Sequence, residues 1–316
     1  MTVNVVTRLG EEGLGDIYDL STCLRAQTNN DFRWIILLRP SAHKYFSEIS
    51  KSLQLDHIFW NQITLIKSFT DNRSKLLNRA LDTLHDGYLV VLDDDDLPLS
   101  HFIETINEAA QKVHCKSIIR TQVVQMETFR QKIGNKSIQI SMSPMKYLWP
   151  SEFNRLSHLT ANRSPCMGIS YPVKLLNKFG LNWDEKIEAV EDWDMLMRAS
   201  NQIPVMSAQE VTAVYRRSGR SYRSQKAVTP LDWQKSEEIV RRKIQTQTFK
   251  LTGAEVISLS TKNDRFNTKT APYRVKLFVE FVRFIQPRLI NTPFVYNLLK
   301  FQYKRVAKML KVDAYV

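Results

Sequence analysis

Apolar, β-rich runs alternate with stretches of helical periodicity along the first third of the chain, and few folds accommodate that order. Three of these runs, at residues 2–8, 32–38 and 88–92, read TVNVVTR, FRWIILL and YLVVL. Between the second and the third, residues 72–84 place leucine and alanine at helical spacing. Strands that alternate with helices indicate βαβ units, and nearly all-apolar strands indicate a sheet covered on both faces. We therefore predict an α/β fold with a mostly parallel sheet.

The strand predicted at residues 88–92 runs directly into four aspartates, Asp93 to Asp96. In open α/β sheets, ligands bind beyond the carboxyl ends of the strands. Asp93 and Asp95 are two residues apart, and residues at that spacing face the same way on a strand. They could hold a Mg²⁺ or Mn²⁺ that bridges the oxygens of a diphosphate and relieves the repulsion among the carboxylates. The alternative is that the acidic residues only cap a helix that follows near Ser100.

A second acidic group begins the segment EDWDMLMRAS, residues 191–200, in which apolar residues recur at helical spacing. Glu191 and Asp192 therefore fall in the first turn of a predicted helix. A carboxylate at that place is stabilised as the anion, which suits it to accept a proton from an acceptor hydroxyl. The alternative is N-terminal capping alone, with Asp194 and Arg198 forming an ion pair one turn apart.

Taken in order along residues 2–225, these motifs resemble those of glycosyltransferase family 2, the inverting nucleotide-sugar enzymes with a GT-A fold. LLNRALDTLHDGYLVVLDDDD is similar to the family's ARN-x-x-L…A-x-G-x-Y-x-x-x-LD-x-DD, and FGLNWDEKIEAVEDWDMLMRAS to its GGFDE…EDWDLWLR. VYRRSGRS is similar to the family's YR-x-H-x-x-S. The opening TRL and the run DFRWIILL resemble a rhamnosyltransferase-like branch. The resemblance implies a GT-A, Rossmann-like fold with a mostly parallel sheet flanked by helices.

The resemblance also implies a role for each matched residue. Asp93 would contact the nucleotide ribose or share in holding the metal, and Asp95 would bind the Mg²⁺ or Mn²⁺ on the donor diphosphate. Asp192, with Glu191 beside it, would be the general base that deprotonates the acceptor hydroxyl for in-line attack at the anomeric carbon. The other predicted donor contacts are Thr7, Arg8, Asn78, Arg216, Arg217 and Arg220. The three arginines of VYRRSGRS would neutralise charge on the departing nucleoside diphosphate.

Four places depart from the family pattern, and one of them is Leu77, which replaces the Arg of ARN. The usual Asp pair after the second strand is Leu38-Arg39 here, so the expected contact to the nucleobase is missing. Thr7 and Arg8 stand where the family has Pro-Thr. Ser218 replaces the His of the late motif, which removes an expected third protein ligand for the metal. The sequence therefore predicts the metal-binding residues more clearly than the residues that would recognise the nucleobase of the donor.

The basic residues are concentrated in the C-terminal third of the chain. Residues 1–215 contain 23 Lys and Arg against 25 Asp and Glu, whereas residues 216–316 contain 22 against 7. Residues 274–290 and 294–311 combine apolar residues with regular Arg and Lys. That pattern indicates either an interfacial helix on an anionic membrane surface or a helix that packs on the catalytic domain with a solvated basic face.

We predict a catalytic domain at residues 1–228 and a helical, basic C-terminal region at 229–316. The predicted enzyme transfers a sugar from a nucleoside-diphosphate sugar to a glycan or lipid-linked glycan acceptor in bacterial surface polysaccharide synthesis. No nucleic-acid partner is expected, because no nucleic-acid module is recognised in the sequence. Three widely spaced cysteines, and no signal-peptide pattern or spanning apolar run, predict a cytoplasmic protein, peripheral to the inner face of the membrane.

Two other functions fit parts of the same pattern. A nucleotidyltransferase on a similar sheet would need a glycine-rich phosphate loop, for which the chain offers GEEGLGD at residues 10–16. A non-catalytic relative that acts as an assembly partner would have lost donor binding, and Leu38-Arg39 agrees with such a loss. Trp149 and Trp193 are candidates for stacking on sugar rings, although most tryptophans are core residues.

Overall fold

The structure is a computed structural model that describes residues 1–54, 59, 61–133, 136–218, 229–253 and 255–257. The chain divides into two compact units, Met1–Lys250 and Leu251–Val316. The basic helices predicted at 274–290 and 294–311 lie outside the described residues, as does Arg220. Within the described part of the chain, no helix combines the length and the apolar character that crossing a membrane requires.

The described strands form one sheet. They are β1 Val3–Leu9, β2 Phe32–Leu38, β3 Ile63–Lys67, β4 Tyr88–Val91, β5 Leu97–Pro98, β6 Ile118–Ile133, β7 Lys136–Ser141, β8 Ile169–Pro172 and β9 Val205–Ser218. Their order is β3-β2-β1-β4-β8-β6-β9-β5, and β7 pairs with β6. The β3-β2-β1-β4 half is parallel, β8 runs antiparallel to both β4 and β6, and β6 and β9 are parallel. The predicted α/β fold is confirmed.

The helices flank this sheet. They are α1 Ile17–Arg25, α2 Phe46–Leu53, α3 Arg73–Leu81, α4 Phe102–Lys112, α5 Arg155–His158, α6 Val173–Lys178, α7 Glu191–Ser200 and α8 Pro230–Thr246. The helices predicted within 72–84 and at 191–200 correspond to α3 and α7.

Two hydrophobic cores lie on opposite faces of the sheet. Val5 of β1 packs in a core with Leu20 of α1 and Phe102 of α4, whereas Val6 packs in another with Leu76 of α3. Successive residues of a strand point to opposite faces, so both faces of β1 are buried. Burial on both faces explains why the parallel strands contain so few polar residues.

Helix α8 belongs to the first unit and is fixed against α7. Val240 is fully buried and packs with Trp193 of α7. The Ser236 hydroxyl accepts a hydrogen bond from a backbone N–H of the loop before α7, and Lys243 Nζ lies 2.5 Å from Asp194 Oδ1. The sequence analysis assigned this helix to the basic C-terminal region 229–316. The functional division of the chain into a catalytic domain at 1–228 and that region stays a prediction.

Candidate active site

A cleft of about 1100 Å³ opens where the parallel strands end. Arg8 near the end of β1, Arg39 after β2 and Asp93 after β4 all line it. Helices α7 and α8 add Asp192 and Trp233 to the same lining. The cleft is therefore at the place where an open α/β sheet presents its ligand-binding residues.

Four charged side chains form a connected group in this cleft, which we call the ion cluster: buried Arg8 and Glu191, and partly exposed Arg73 and Asp93. Arg8 Nε and Nη2 donate to the two carboxylate oxygens of Asp93 at 2.9 and 2.6 Å, and its Nη1 donates to Glu191 Oε1 at 2.5 Å. Arg73 Nε donates to the same oxygen of Glu191 at 2.9 Å, and its Nη2 lies 3.6 Å from Asp93 Oδ2. The ion cluster thus ties the end of β4 to the first turn of α7.

Both acids of the ion cluster are held as anions. Burial alone would raise the pKa of Glu191, but the positive charges of Arg73 and Arg8 outweigh it and lower that pKa. The same two guanidiniums overcome burial at Asp93 and lower its pKa as well. Glu191, predicted as a catalytic neighbour of the base, therefore has an oxygen that is already engaged by two arginines.

Asp192 follows Glu191 directly but has different surroundings. Its Oδ2 accepts a hydrogen bond from Asn162 Nδ2 at 3.0 Å, and its Oδ1 accepts one from the backbone N–H of Trp193 at 2.8 Å. Burial and the negative charge of Glu191 raise the pKa of Asp192 to about 6. A carboxylate with this pKa is ionised at neutral pH and is matched to accept a proton there.

The backbone before Asp192 has an unusual conformation. Val190, the N-cap residue of α7, is left-handed with φ 54° and ψ 26°. This region is disfavoured for a β-branched residue, and such a conformation costs about 1–3 kcal/mol. Val190 makes no side-chain capping hydrogen bond, but Asp192 Oδ1 accepts the first-turn N–H of Trp193, so part of the N-terminal capping named as the alternative does occur. The predicted pair of Asp194 and Arg198 does form, at 2.7 Å.

The four aspartates after β4 point in different directions, because they form a turn. Strand β4 ends at Val91, and the backbone N–H of Asp96 donates to the carbonyl of Asp93. Asp94 packs against Gly13: a Cβ at Gly13 would lie 1.4 Å from Asp94 Oδ2, so only glycine leaves room. Gly10 and Glu12 of the same GEEGLGD loop line the cleft. Asp95 is partly exposed and lines the cleft.

Asp93, Asp96 and Cys166 offer ligand atoms that lie within 4.8 Å of one another, which makes them a candidate metal site. Asp96 is buried, and its Oδ1 has no hydrogen-bond partner among the described residues. Each oxygen of Asp93 keeps a lone pair beyond the bond it accepts from Arg8. Two carboxylates fit a hard divalent cation, whereas a thiol fits softer ions. Asp95, predicted as the metal ligand, is not in this group.

Two predicted donor contacts do not line the cleft. Thr7 is fully buried; its hydroxyl donates to the carbonyl of Leu92 at 2.8 Å and accepts from Trp34 Nε1 at 2.9 Å. Asn78 joins α3 to the backbone of Trp183, donating to its carbonyl at 2.9 Å and accepting from its N–H at 2.8 Å. The polar atoms of both side chains are thus used to hold neighbouring elements together.

The arginines near the end of β9 do reach the cleft. Arg216 is almost fully buried, and its Nε donates to the backbone carbonyl of Asp95. Its Nη1 lies 3.1 Å from Asp19 Oδ2, while its Nη2 lies 3.9 Å from Asp16 Oδ1, too far for a hydrogen bond. Arg217 is exposed and also lines the cleft.

Sequence reasoning missed three residues of this cleft: Arg73, Asn162 and Trp233. Arg73 and Asn162 belong to no motif, and they gain their roles only through partners distant in the chain. Trp233 carried a usable signal, because Trp233, Glu237 and Arg241 recur every four residues and so share one face of a helix. Trp193, by contrast, is buried, and its Nε1 donates to a backbone carbonyl.

Solved structures share this fold. The chain is similar to residues 1–349 of TarS from S. aureus in complex with UDP-GlcNAc, with a TM-score of 0.59 and 14% identity over 92% of this chain and 79% of that chain. The UDP complex of the same TarS segment gives a TM-score of 0.56 and 14% identity over 98% and 88% of the two chains. No family model matches the chain, and no curated protein matches its sequence. At these identities the likeness shows the fold alone, which is the predicted GT-A-like glycosyltransferase fold.

Proposed function

We propose that this protein is an inverting glycosyltransferase, which moves a sugar from a nucleoside-diphosphate sugar to a glycan acceptor. The observation that carries the proposal is the position of Asp192. This half-buried carboxylate with a raised pKa lines the same cleft as the acidic turn after β4. The donor class is also supported by the TarS structures, whose bound molecules are UDP-GlcNAc and UDP.

In the proposed reaction, Asp192 accepts the proton of an acceptor hydroxyl. The hydroxyl oxygen then attacks the anomeric carbon from the face opposite the diphosphate, and the bond from that carbon to the diphosphate oxygen breaks. Configuration at the anomeric carbon inverts, and no covalent intermediate with the protein forms. Asn162 holds Asp192 in place, and Arg216 and Arg217 are near enough to the acidic turn to offset charge on the leaving group.

Asp93 and Asp96 would hold a Mg²⁺ or Mn²⁺ at the acidic turn. When bound, such a cation would supply positive charge to the donor diphosphate. The sequence prediction of Asp95 as a ligand stays open beside this set, since Asp95 lines the same cleft. Arg8 orients Asp93 by holding both of its oxygens.

The finer parts of the proposal rest on the sequence. They are membership of glycosyltransferase family 2, its rhamnosyltransferase-like branch, a lipid-linked acceptor in bacterial surface polysaccharide synthesis, and attachment to the inner face of the membrane. The attachment would use residues 274–311, which lie outside the described residues.

The proposal is tested by measuring nucleotide-sugar binding calorimetrically, with and without Mn²⁺, and then transfer or slow hydrolysis of the donor that binds. We expect Asp192→Asn to bind donor normally but to lose about 10²- to 10⁴-fold in transfer, because the base is gone. Asp96→Asn should lose the part of donor binding that depends on Mn²⁺. Asp82→Asn, an exposed acid at the end of α3, is the matched control.

Two outcomes would contradict the proposal. If no nucleotide or nucleotide sugar binds, the transferase function fails as a whole. If Asp192→Asn keeps near-normal transfer, the assignment of the base is wrong even though the donor class stands.

A further inference from the structure

One face of α8 lines the cleft without a role in the chemistry proposed so far. Trp233, Glu237 and Arg241 recur at intervals of four residues on that face, and all three line the cleft. We call them the α8 stripe. From Trp233 to Arg241 the α8 stripe extends about 12 Å along the helix axis, longer than a single sugar ring.

The α8 stripe is held rigidly, because other faces of the helix are fixed in the protein. Val240 is fully buried against α7, the Ser236 hydroxyl accepts a backbone N–H, and Lys243 pairs with Asp194 at 2.5 Å and with Asp184 at 2.9 Å. A binding surface that is ordered before its ligand arrives loses less conformational entropy on binding.

Trp233 differs from the core tryptophans in its exposure. Trp34, Trp183 and Trp193 are at most 2% exposed, whereas Trp233 is 37% exposed and faces the cleft. A large aromatic side chain left open in a cleft gains free energy when an apolar surface covers it. The C–H face of a pyranose ring is such a surface, and its hydroxyls project from the edge of the ring.

Glu237 and Arg241 supply polar groups next to that aromatic surface. The side chain of Glu237 is 45% exposed, and Arg241 Nη2 lies 3.5 Å from Glu237 Oε2. Arg241 Nη1 donates to the carbonyl of Thr160 at 2.8 Å, in the loop whose Asn162 holds Asp192. The α8 stripe therefore ends at the loop that orients the base.

We propose that Trp233 and Glu237 form a subsite for a pyranose of the acceptor glycan. The indole stacks on the C–H face of the ring, and the Glu237 carboxylate accepts hydrogen bonds from the ring hydroxyls. The acceptor is thereby recognised through its sugar and not through a lipid. The assignment of this subsite to the acceptor rests on the proposed function, since the assignment assumes that Asp192 is the general base.

The test measures glycan binding directly, independently of donor. An array of neutral pyranose oligosaccharides identifies a glycan that the wild-type chain binds, and titration of that glycan in solution gives the affinities. We expect Trp233→Ala to weaken binding about tenfold or more, with Trp233→Phe recovering part of the loss. Glu237→Gln should weaken binding less. Leu231→Ala removes an exposed apolar side chain of the same helix that does not line the cleft, and it should bind as wild type.

The outcomes separate this inference from the proposed function. Glycan binding that depends on Trp233, in a protein that binds no nucleotide sugar, would support the subsite and overturn the transferase proposal. Donor binding in a protein whose glycan affinity is unchanged by Trp233→Ala, or that binds no glycan on the array, would overturn the subsite. Loss of binding to phosphatidylglycerol vesicles in Trp233→Ala would also overturn it, because Trp233 would then be a membrane contact.

Discussion

The two sides of the cleft treat their polar groups in opposite ways. On the strand side, the ion cluster pairs Arg8 and Asp93 at the strand ends with Arg73 of α3 and Glu191 of α7, so each acid has an arginine partner. On the helix side, Trp233 and Glu237 remain open to the cleft. Buried charges must be paired to be tolerated, whereas exposed groups can wait for a ligand. The difference indicates that the ion cluster fixes the geometry of the site, whereas the α8 stripe is open to a ligand.

Glu191 and Asp192 show the same contrast at adjacent positions. Two guanidiniums lower the pKa of Glu191, while burial and the charge of Glu191 raise that of Asp192. Two neighbouring carboxylates thus acquire separate tasks, since one anchors the helix start and the other can exchange a proton.

The largest expected effect breaks the strand side. Arg8→Met removes the charge shared by Asp93 and Glu191, and it should lower the free energy of unfolding by about 3 kcal/mol, because buried Glu191 and partly exposed Asp93 then have Arg73 as their one remaining partner in the ion cluster. Urea denaturation measures the change. Lys235→Met removes an exposed lysine of α8 and should change stability by less than about 0.5 kcal/mol. A loss in Arg8→Met as small as that of the control would show that the ion cluster is not structurally important.

A smaller effect tests whether the helix side is as rigid as the strand side. Val240→Ala should cost about 2 kcal/mol, since two methyl groups leave a fully buried position, and the first unit should still unfold in one transition. Calorimetry shows whether the first unit unfolds in one transition or in two, with Leu231→Ala as the exposed control. A separate early transition for α8, seen by hydrogen exchange of its amides, would mean that the α8 stripe is an appendage.

The smallest expected effect concerns the base. Transfer should fall as the pH drops through about 6, because Asp192 accepts a proton only when it is ionised. The hydrogen bond from Asn162 favours the anion, so Asn162→Ala should raise the pKa and move this acid limb up by about 1 pH unit. Asn201→Ala, at the other end of α7, should leave the limb in place. An unmoved limb in Asn162→Ala would remove Asp192 from the proton transfer.

The sequence was sufficient to predict the fold, because the apolar runs and helical periods are local signals. It also located the acidic turn and the start of α7 within the site. It paired Asp93 with Asp95 by assuming strand periodicity, but β4 ends at Val91, and the turn that follows also brings Asp96 close to Asp93; Asp95 as a metal ligand stays a prediction.

Other residues of the site could not be predicted from motif spacing, because their roles depend on contacts between residues that are distant in the chain. Arg73 and Asn162 act through Glu191 and Asp192, which are distant in the chain. Conversely, Asn78 matches the family pattern, yet its amide is engaged by the backbone of Trp183. A matched residue type therefore predicts a position in the fold more securely than it predicts a contact with the ligand.

The left-handed backbone at Val190 has a consequence for protein engineering. Glycine would adopt the positive φ without steric cost, but it would also remove a buried side chain that packs with Trp193 and Val240. It would in addition loosen the segment that aims Asp192 into the cleft. Engineering for heat resistance should therefore leave Val190 in place, since its side chain joins α7 to α8 while its backbone aims the base.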